Sequence, residues 1–321
     1  MTGAGGRVLT TVTNYGLYCA EAKTMLEAAG LEVIENPHGR PLTFDELAAV
    51  VGDVDAVVAG VDSWDDRVFE LAPRLRVIAR FGTGVDNIDL AAAGRRAITV
   101  TNAKGANANA VAELTIGLML GLLREVPRLD QVVRRGIWER AMGAELRGRT
   151  VGLLGFGDIP QRVARKLAGF DVRVLAFDKY PDLAVAGELG VRFGSLAEVL
   201  AASDVVSLHL PSLPDTQRIM NDERFSQMRP GAWFVNTARG ALVDEAALGR
   251  ALSSGRLAGA AVDVYEVEPA SSDNPLFALQ NIICTPHSAG ETGETYAEIG
   301  ITTAKAVLDV LRGRDPQNRI V

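Results

Sequence analysis

Short, predominantly apolar runs rich in β-branched residues recur along this chain, each separated from the next by a stretch with helical periodicity. No other feature narrows the fold so far. VLTTV (8–12), LEVIE (31–35), AVVAG (56–60) and RVIAR (76–80) read as strands. Between them, CAEAKTMLEAAG and TFDELAAVVG have helical spacing and end in glycine, a common helix stop. A second series runs through TVGLLG (150–155), VRVLAF (172–177), DVVSLHL (204–210), AWFVNT (232–237), AGAAVDV (258–264) and NIICTP (281–286). Strands this apolar are expected when helices cover both faces of the sheet. Alternating βα units joined in that way give parallel strands with right-handed crossovers. The expected class is α/β, with two doubly wound parallel sheets and a cleft between the domains.

The two series are separated by a long helical region, ANANAVAELTIGLMLGLLREV (106–126), and a second long helix, from Glu291 to Arg312, closes the chain. Two helices flanking the second series could both join the domains, which would return the C-terminus to the first domain and make it discontinuous. A chain of 321 residues can bury a large core, so folding needs no disulfide or metal staple. Lys and Arg number 33 against 40 Asp and Glu, a net charge of −7, the opposite of the balance used to neutralise nucleic-acid phosphates. Cys19 and Cys284 lie far apart without metal-ligand spacing, so a reduced, cytoplasmic protein with no metal site is expected. The N-terminus has neither a basic start nor an apolar run, which argues against a signal peptide. The most apolar stretch, Leu114 to Leu123, covers about half a bilayer and ends at Arg124, so it reads as a buried helix.

The strongest local motif is VGLLGFGDIPQRVARKLAGF. A strand enters Gly155-Phe156-Gly157, a helix follows, and about 20 residues past the turn the next strand ends in Asp178. Gly155 permits the tight turn, and Gly157 lets backbone approach a pyrophosphate at the helix N-terminus. Asp178 would accept hydrogen bonds from ribose hydroxyls and repel a 2′-phosphate, favouring NAD over NADP. The competing reading is a plain βα turn with an exposed aspartate. Of the three histidines, His38 sits in the loop NPHGRP and reads as a solvated turn residue. His209 ends a strand and reads either as a cofactor contact or as a buried, satisfied imidazole. His287, in CTPHSAG, follows the last strand of the second series, where the ligand crevice of such sheets lies. Arg239 and Glu268 occupy equivalent strand-end positions. Together they make a workable set: a cation for an anionic substrate, a proton-carrying imidazole and a carboxylate to orient it.

VNTARGALVDEAAL, DVYEVEP and TPHSAG, together with FGTGVDNID and GANANAVAEL, resemble the hallmark segments of the D-isomer-specific 2-hydroxyacid dehydrogenase family. Within it the chain is most similar to short phosphoglycerate dehydrogenase-like members, since nothing after Val321 could form a regulatory domain. The resemblance implies two Rossmann-like domains: a substrate domain, residues 1–103 completed by the helix at 291–321, and an NAD-binding domain at 104–290. It implies that Arg239 holds the substrate carboxylate and polarises the keto oxygen, that His287 protonates that oxygen during reduction, and that Glu268 pairs with His287. Arg80 matches a family arginine, and the backbone of Gly82, Thr83 and Gly84 would grip the carboxylate. Around the cofactor it implies Gly155, Gly157, Asp158, Ile159 and Asp178 at the turn and His209 and Leu210 at the next strand end. Thr237, Ala238 and Asp263 would border the nicotinamide, with Ser288 to Gly290 near it. The region from Gly105 to Leu146 would wrap a partner in a homodimer.

Some positions depart from the family pattern. The turn normally reads Gly-x-Gly-Arg-Ile-Gly, whereas here Asp158 replaces a phosphate-contacting arginine and Pro160 replaces the last glycine. Both changes bear on cofactor affinity, although proline is tolerated in a first helical turn. Lys104 stands where the family usually has proline. Glu268 argues against formate dehydrogenases, which carry glutamine there, and Thr83 against phosphite dehydrogenases, which carry lysine. Asp62, Asp65 and Asp66 are expected to disfavour a substrate with a dianionic tail. The function expected is NAD-dependent hydride transfer between NAD(H) and a small D-2-hydroxy acid or 2-keto acid of the phosphoglycerate, hydroxypyruvate or glyoxylate class. The alternative is an NAD(H)-sensing binding or regulatory protein on the same fold with little catalysis.

Overall fold

The computed structural model describes residues 5–321. They form two compact units, one from the described residues up to Asn107 together with Glu291–Val321, the other from Ala108–Gly290.

The first unit holds five parallel strands, β1 (Arg7–Thr10), β2 (Glu32–Glu35), β3 (Ala56–Ala59), β4 (Val77–Arg80) and β5 (Thr99–Thr101), in the order β2-β1-β3-β4-β5. Alternate residues point to opposite faces. Val8, Val58, Val77 and Ala79 pack with Leu26, Ile299 and Val307 from the helices Ala20–Ala28 and Gly293–Leu311. Leu9, Val57, Ala59 and Ile78 pack on the other side with Leu47, Phe69 and Ala92. Both faces are covered, which accounts for the apolar runs of β1, β3 and β4, whereas the edge strand β2 keeps Glu32 and Glu35. β5 escaped the sequence reading because three residues, two of them threonine, carry too little pattern to register.

The second unit holds seven parallel strands: β6 (Thr150–Leu154), β7 (Arg173–Phe177), β8 (Arg192–Phe193), β9 (Val205–Leu208), β10 (Ala232–Asn236), β11 (Leu257–Val262) and β12 (Ile282–Cys284). Their order is β12-β11-β10-β9-β6-β7-β8, so the winding reverses between β6 and β9. Sheets of this kind bind ligands at the carboxyl ends of the strands flanking such a reversal. Leu153, Val205, Val235 and Ala261 pack against the helices Ala108–Leu123 and Asp158–Leu167, and Leu154, Val206, Phe234 and Val262 face the opposite layer with Leu200 and Leu248. Each fully buried leucine or phenylalanine here contributes about 1.5–3 kcal/mol. The apolar run at 114–123 lies in the buried helix, with Ile116, Met119 and Leu123 turned into the core. Among the described residues no helix is long and apolar enough to cross a membrane.

Candidate active site

At the reversal, Gly155 has φ +102, and a β-carbon on it would lie 2.8 Å from the carbonyl oxygen of His209. Glycine therefore lets the turn after β6 run against the end of β9, where the His209 amide donates to Leu154 O at 2.7 Å. Asp178, just past β7, accepts the Phe156 amide on Oδ2 (2.7 Å) and the Tyr180 amide on Oδ1 (2.8 Å), which fixes the carboxylate beside the turn. The helix begins immediately after Gly157, and space around that glycine is open. Its first backbone bond runs from Gln161 N to Gly157 O (3.1 Å), so helix geometry leaves the Asp158 and Ile159 amides without intrahelical acceptors. Pro160, buried in this first turn, has no N–H to lose, and the helix forms intact around it. A glycine turn, unspent helix amides and a fixed carboxylate at the next strand end fit the pyrophosphate and ribose of a dinucleotide. His209 bonds Ser207 Oγ through Nε2 at 2.9 Å, and burial lowers its pKa to about 3, so its imidazole stays neutral. Leu210 is buried beside it.

Asp158 does not stand alone at the helix start. Arg162, one turn on, reaches back and donates from Nε to Asp158 Oδ1 at 2.9 Å. This pairing partly neutralises the carboxylate that replaces the family arginine. Asp158→Arg should still tighten NADH binding, by up to about fivefold, and make it more salt-sensitive. Fluorescence titration of NADH at low and high salt checks this, and an unchanged affinity would place Asp158 away from the phosphates.

Three loops following β10, β11 and β12 meet further along the same edge. Asn236 closes the first: its Nδ2 donates to Arg239 O and its Oδ1 accepts from Ala238 N, both at 3.0 Å. Thr237 is buried, its hydroxyl 2.9 Å from that of Thr115. Arg239 is half-buried and donates from Nη1 to Ala238 O at 2.7 Å. Gly240 is what allows the loops to touch, because a β-carbon there would lie 1.9 Å from the Tyr265 carbonyl carbon and oxygen. The Tyr265 amide in turn donates to Glu268 Oε1 (3.0 Å), and Glu268 Oε2 lies 2.6 Å from His287 Nδ1. Burial pushes the Glu268 carboxyl up. The bonds from His287 and the Tyr265 amide, with the Arg239 charge, outweigh that and hold it below the usual glutamate range. An ionised carboxylate only accepts, so His287 Nδ1 carries the hydrogen and Nε2 is the nitrogen left for exchange. Asp263, fully buried at the end of β11, accepts from Thr285, Ser288 and Ala289, and Gly290 ends this loop. Sequence reasoning passed over Asn236 and the close packing at Gly240, although the asparagine two residues before an alanine amide was a visible turn signal.

In the other unit, Arg80 ends β4, and Gly82 takes φ +141. Gly82 O accepts the Ala103 amide (2.9 Å), Thr83 O accepts Asn102 Nδ2 (2.7 Å), and the Thr83 hydroxyl donates to Asn107 (3.2 Å), so the segment leading to Gly84 is held by residues 102–107. The three nearby acids all have partners within the fold, which bears on the expectation that they repel a dianionic tail. Asp62 is buried and accepts the Leu42 amide, Asp65 caps the helix Asp66–Leu71 and bonds Arg67, and Asp66 pairs with Arg96 at 2.8 Å.

Residues 116–289 match the D-isomer specific 2-hydroxyacid dehydrogenase NAD-binding domain. The chain belongs to that family. It is 39% identical over 303 residues to the D-3-phosphoglycerate dehydrogenase of Archaeoglobus fulgidus, covering 94% of this chain and 57% of that protein. The chain thus spans little more than half the length of the curated relatives it matches. Among solved structures, the TT0316 protein from Thermus thermophilus superposes with a TM-score of 0.90 at 38% identity, covering 98% of this chain and 100% of that one. The apo-structure of D-lactate dehydrogenase from Escherichia coli gives 0.88 at 32%, again over 98% and 100%. The family's cofactor domain is the second unit, the one that carries the glycine turn and Asp178.

Proposed function

We propose that this protein is an NAD-dependent D-2-hydroxyacid dehydrogenase acting on a small 2-keto or 2-hydroxy acid. The observation that carries the reading is the His287–Glu268 pair, held on loops that adjoin Arg239 through Gly240. Bound NAD(H) would supply the hydride chemistry. Arg239 binds the substrate carboxylate with its planar fork and draws electron density from the keto oxygen. His287 carries the proton for that oxygen on Nε2 while Glu268 holds the ring from Nδ1 and stabilises its cationic form. Asp178 favours NAD by offering its oxygens to ribose hydroxyls and its charge against a 2′-phosphate. For the Gly82–Gly84 segment we adopt the carboxylate-gripping role the resemblance implies, supported by the way residues 102–107 fix that backbone, and Arg80, which matches a family arginine, is the cation for a distal phosphate. Phosphoglycerate, hydroxypyruvate and glyoxylate are the substrate class, and the names of the relatives support the first. NADH absorbance and fluorescence with a panel of these keto acids test the reading. Oxidation with at least one is expected, whereas NADH binding without oxidation by any would favour a sensor of NAD(H).

A homodimer and a cytoplasmic setting belong to the same proposal. The helix Val126–Arg134 buries none of its residues within the chain, and Trp138 and Met142 beyond it are 85% and 96% exposed. Apolar side chains gathered in one segment are a liability unless a second subunit covers them. Light scattering at micromolar concentration should give twice the mass of the chain, and a strictly monomeric result would remove this part of the proposal. Free cysteines, one of them exposed, support a reducing compartment.

A further inference from the structure

His287 is held in an unusual backbone conformation, with φ +52, in the left-handed region that a residue with a β-carbon avoids. Such a conformation persists only where the surroundings over-determine it. Here the determinant is a single residue. The His287 amide donates to the main-chain oxygen of Asp263 at 2.7 Å. The Asp263 carboxylate then takes the next two amides, Ser288 N on Oδ1 and Ala289 N on Oδ2, both at 2.9 Å. Thr285 Oγ1, on the other side of the histidine, donates to Oδ1 at 2.6 Å. With the Ser288 hydroxyl, which donates to Oδ1 at 3.4 Å, five hydrogen bonds from residues 285–289 converge on one side chain and its carbonyl. The amide of Asp263 donates to Asn236 O at 2.9 Å, and Asn236 is the residue that closes the loop carrying Arg239.

We propose that Asp263 is the positioning residue for His287: it holds the 285–289 loop in the strained conformation that sets the imidazole against Glu268. The proposal rests on the dehydrogenase reading above and goes beyond it, since the resemblance places Asp263 beside the nicotinamide. Asp263 has no exposed surface, and Oδ1 already accepts three bonds. A buried carboxylate must be satisfied by donors, and the donors here come from the loop itself. Asp263 therefore acts on the chemistry through His287.

Asp263→Asn keeps the shape but turns an NH2 group toward N–H and O–H donors, so the clamp loosens. Displacing a catalytic group by about an ångström costs on the order of 100-fold, so kcat for keto-acid reduction should fall by about that factor. The fall is read at saturating NADH, with the NADH dissociation constant measured by fluorescence, so that any loss of cofactor affinity at this residue is kept out of kcat. A second readout needs no turnover. With only three histidines in the chain, the His287 imidazole can be followed by 15N NMR. Glu268→Gln should move its titration in the parent and leave it unmoved in the Asp263→Asn background. Unchanged turnover at saturating NADH, or a His287 titration that still responds to Glu268 in the cofactor-free protein, would overturn the proposal. If Asp263→Asn fails to fold, Thr285→Val removes one donor only. It should lower kcat several-fold and weaken the Glu268 response at constant NADH affinity, and parental behaviour in both would overturn the proposal. Absence of turnover in the parent would sink the dehydrogenase reading while the NMR arm still decided this one.

Discussion

Replacing Arg239 with alanine should lower kcat/KM for keto-acid reduction by on the order of 10²–10⁴ while leaving NADH affinity within a few-fold. The magnitude follows from two charge-assisted hydrogen bonds at about 1.5–3 kcal/mol each, lost from a site that must hold an anion. Lysine should rescue little, because a point charge cannot reproduce the planar fork. The position of Arg239 makes the effect specific to substrate. It sits on the loop after β10, past the Asn236 turn, away from the glycine turn and Asp178 at the ends of β6 and β7, which would hold the pyrophosphate and ribose. Steady-state kinetics beside NADH titration check the result, and unchanged turnover would remove Arg239 from the mechanism.

Glu268→Gln should move the alkaline limb of the reduction profile to lower pH. The sign follows from which form does the work. Reduction needs a protonated imidazole, the Glu268 carboxylate stabilises that cation, and a neutral amide does not, so the proton is lost earlier as pH rises. On the acid side the parent should be robust. Glu268 is held below the ordinary glutamate range, so its carboxylate stays ionised through mildly acid conditions. Its contribution to stability is present above that range and is lost only as pH falls through the lowered value. His287→Asn, which removes the proton carrier, should reduce kcat by about 10²–10⁴. A pH–rate profile under conditions where chemistry limits turnover checks both variants, and an unmoved limb in Glu268→Gln would contradict the pairing.

Much of this architecture is legible in the chain because both sheets are covered on both faces. The covered strands announce themselves as apolar runs, and the helices between them carry their own period. β5 and β8 were not legible, since two or three residues at a sheet margin cannot express a pattern. The strand-end placement of Arg239, Glu268 and His287 could be read from their neighbours, because each follows a run that had to be a strand. What joins them could not. The 1.9 Å clash that would follow any β-carbon at Gly240 depends on where Tyr265 lies, and the five bonds that converge on Asp263 depend on the fold of a loop more than 20 residues away. Charges misled for a related reason. Asp62, Asp65, Asp66 and Asp158 look like free acids in a string of letters, yet burial, a helix cap and three arginines absorb them.

The first unit is written in two instalments. Its sheet is encoded before residue 108, but the helix Gly293–Leu311 that covers one face of it is nearly the last segment of the chain. Ile299, Ala304 and Val307 meet Val8, Val58 and Ala79 only after the whole second unit has been made. During synthesis, which proceeds at roughly 5–20 residues per second, the second unit has all its strands and helices in one continuous stretch and can close on itself as soon as it emerges. The earlier sheet must wait, with an oily face turned to water, for a lid still inside the ribosome. The first unit is therefore completed after the second, and the length of that interval is set by the 183 residues inserted between its two segments.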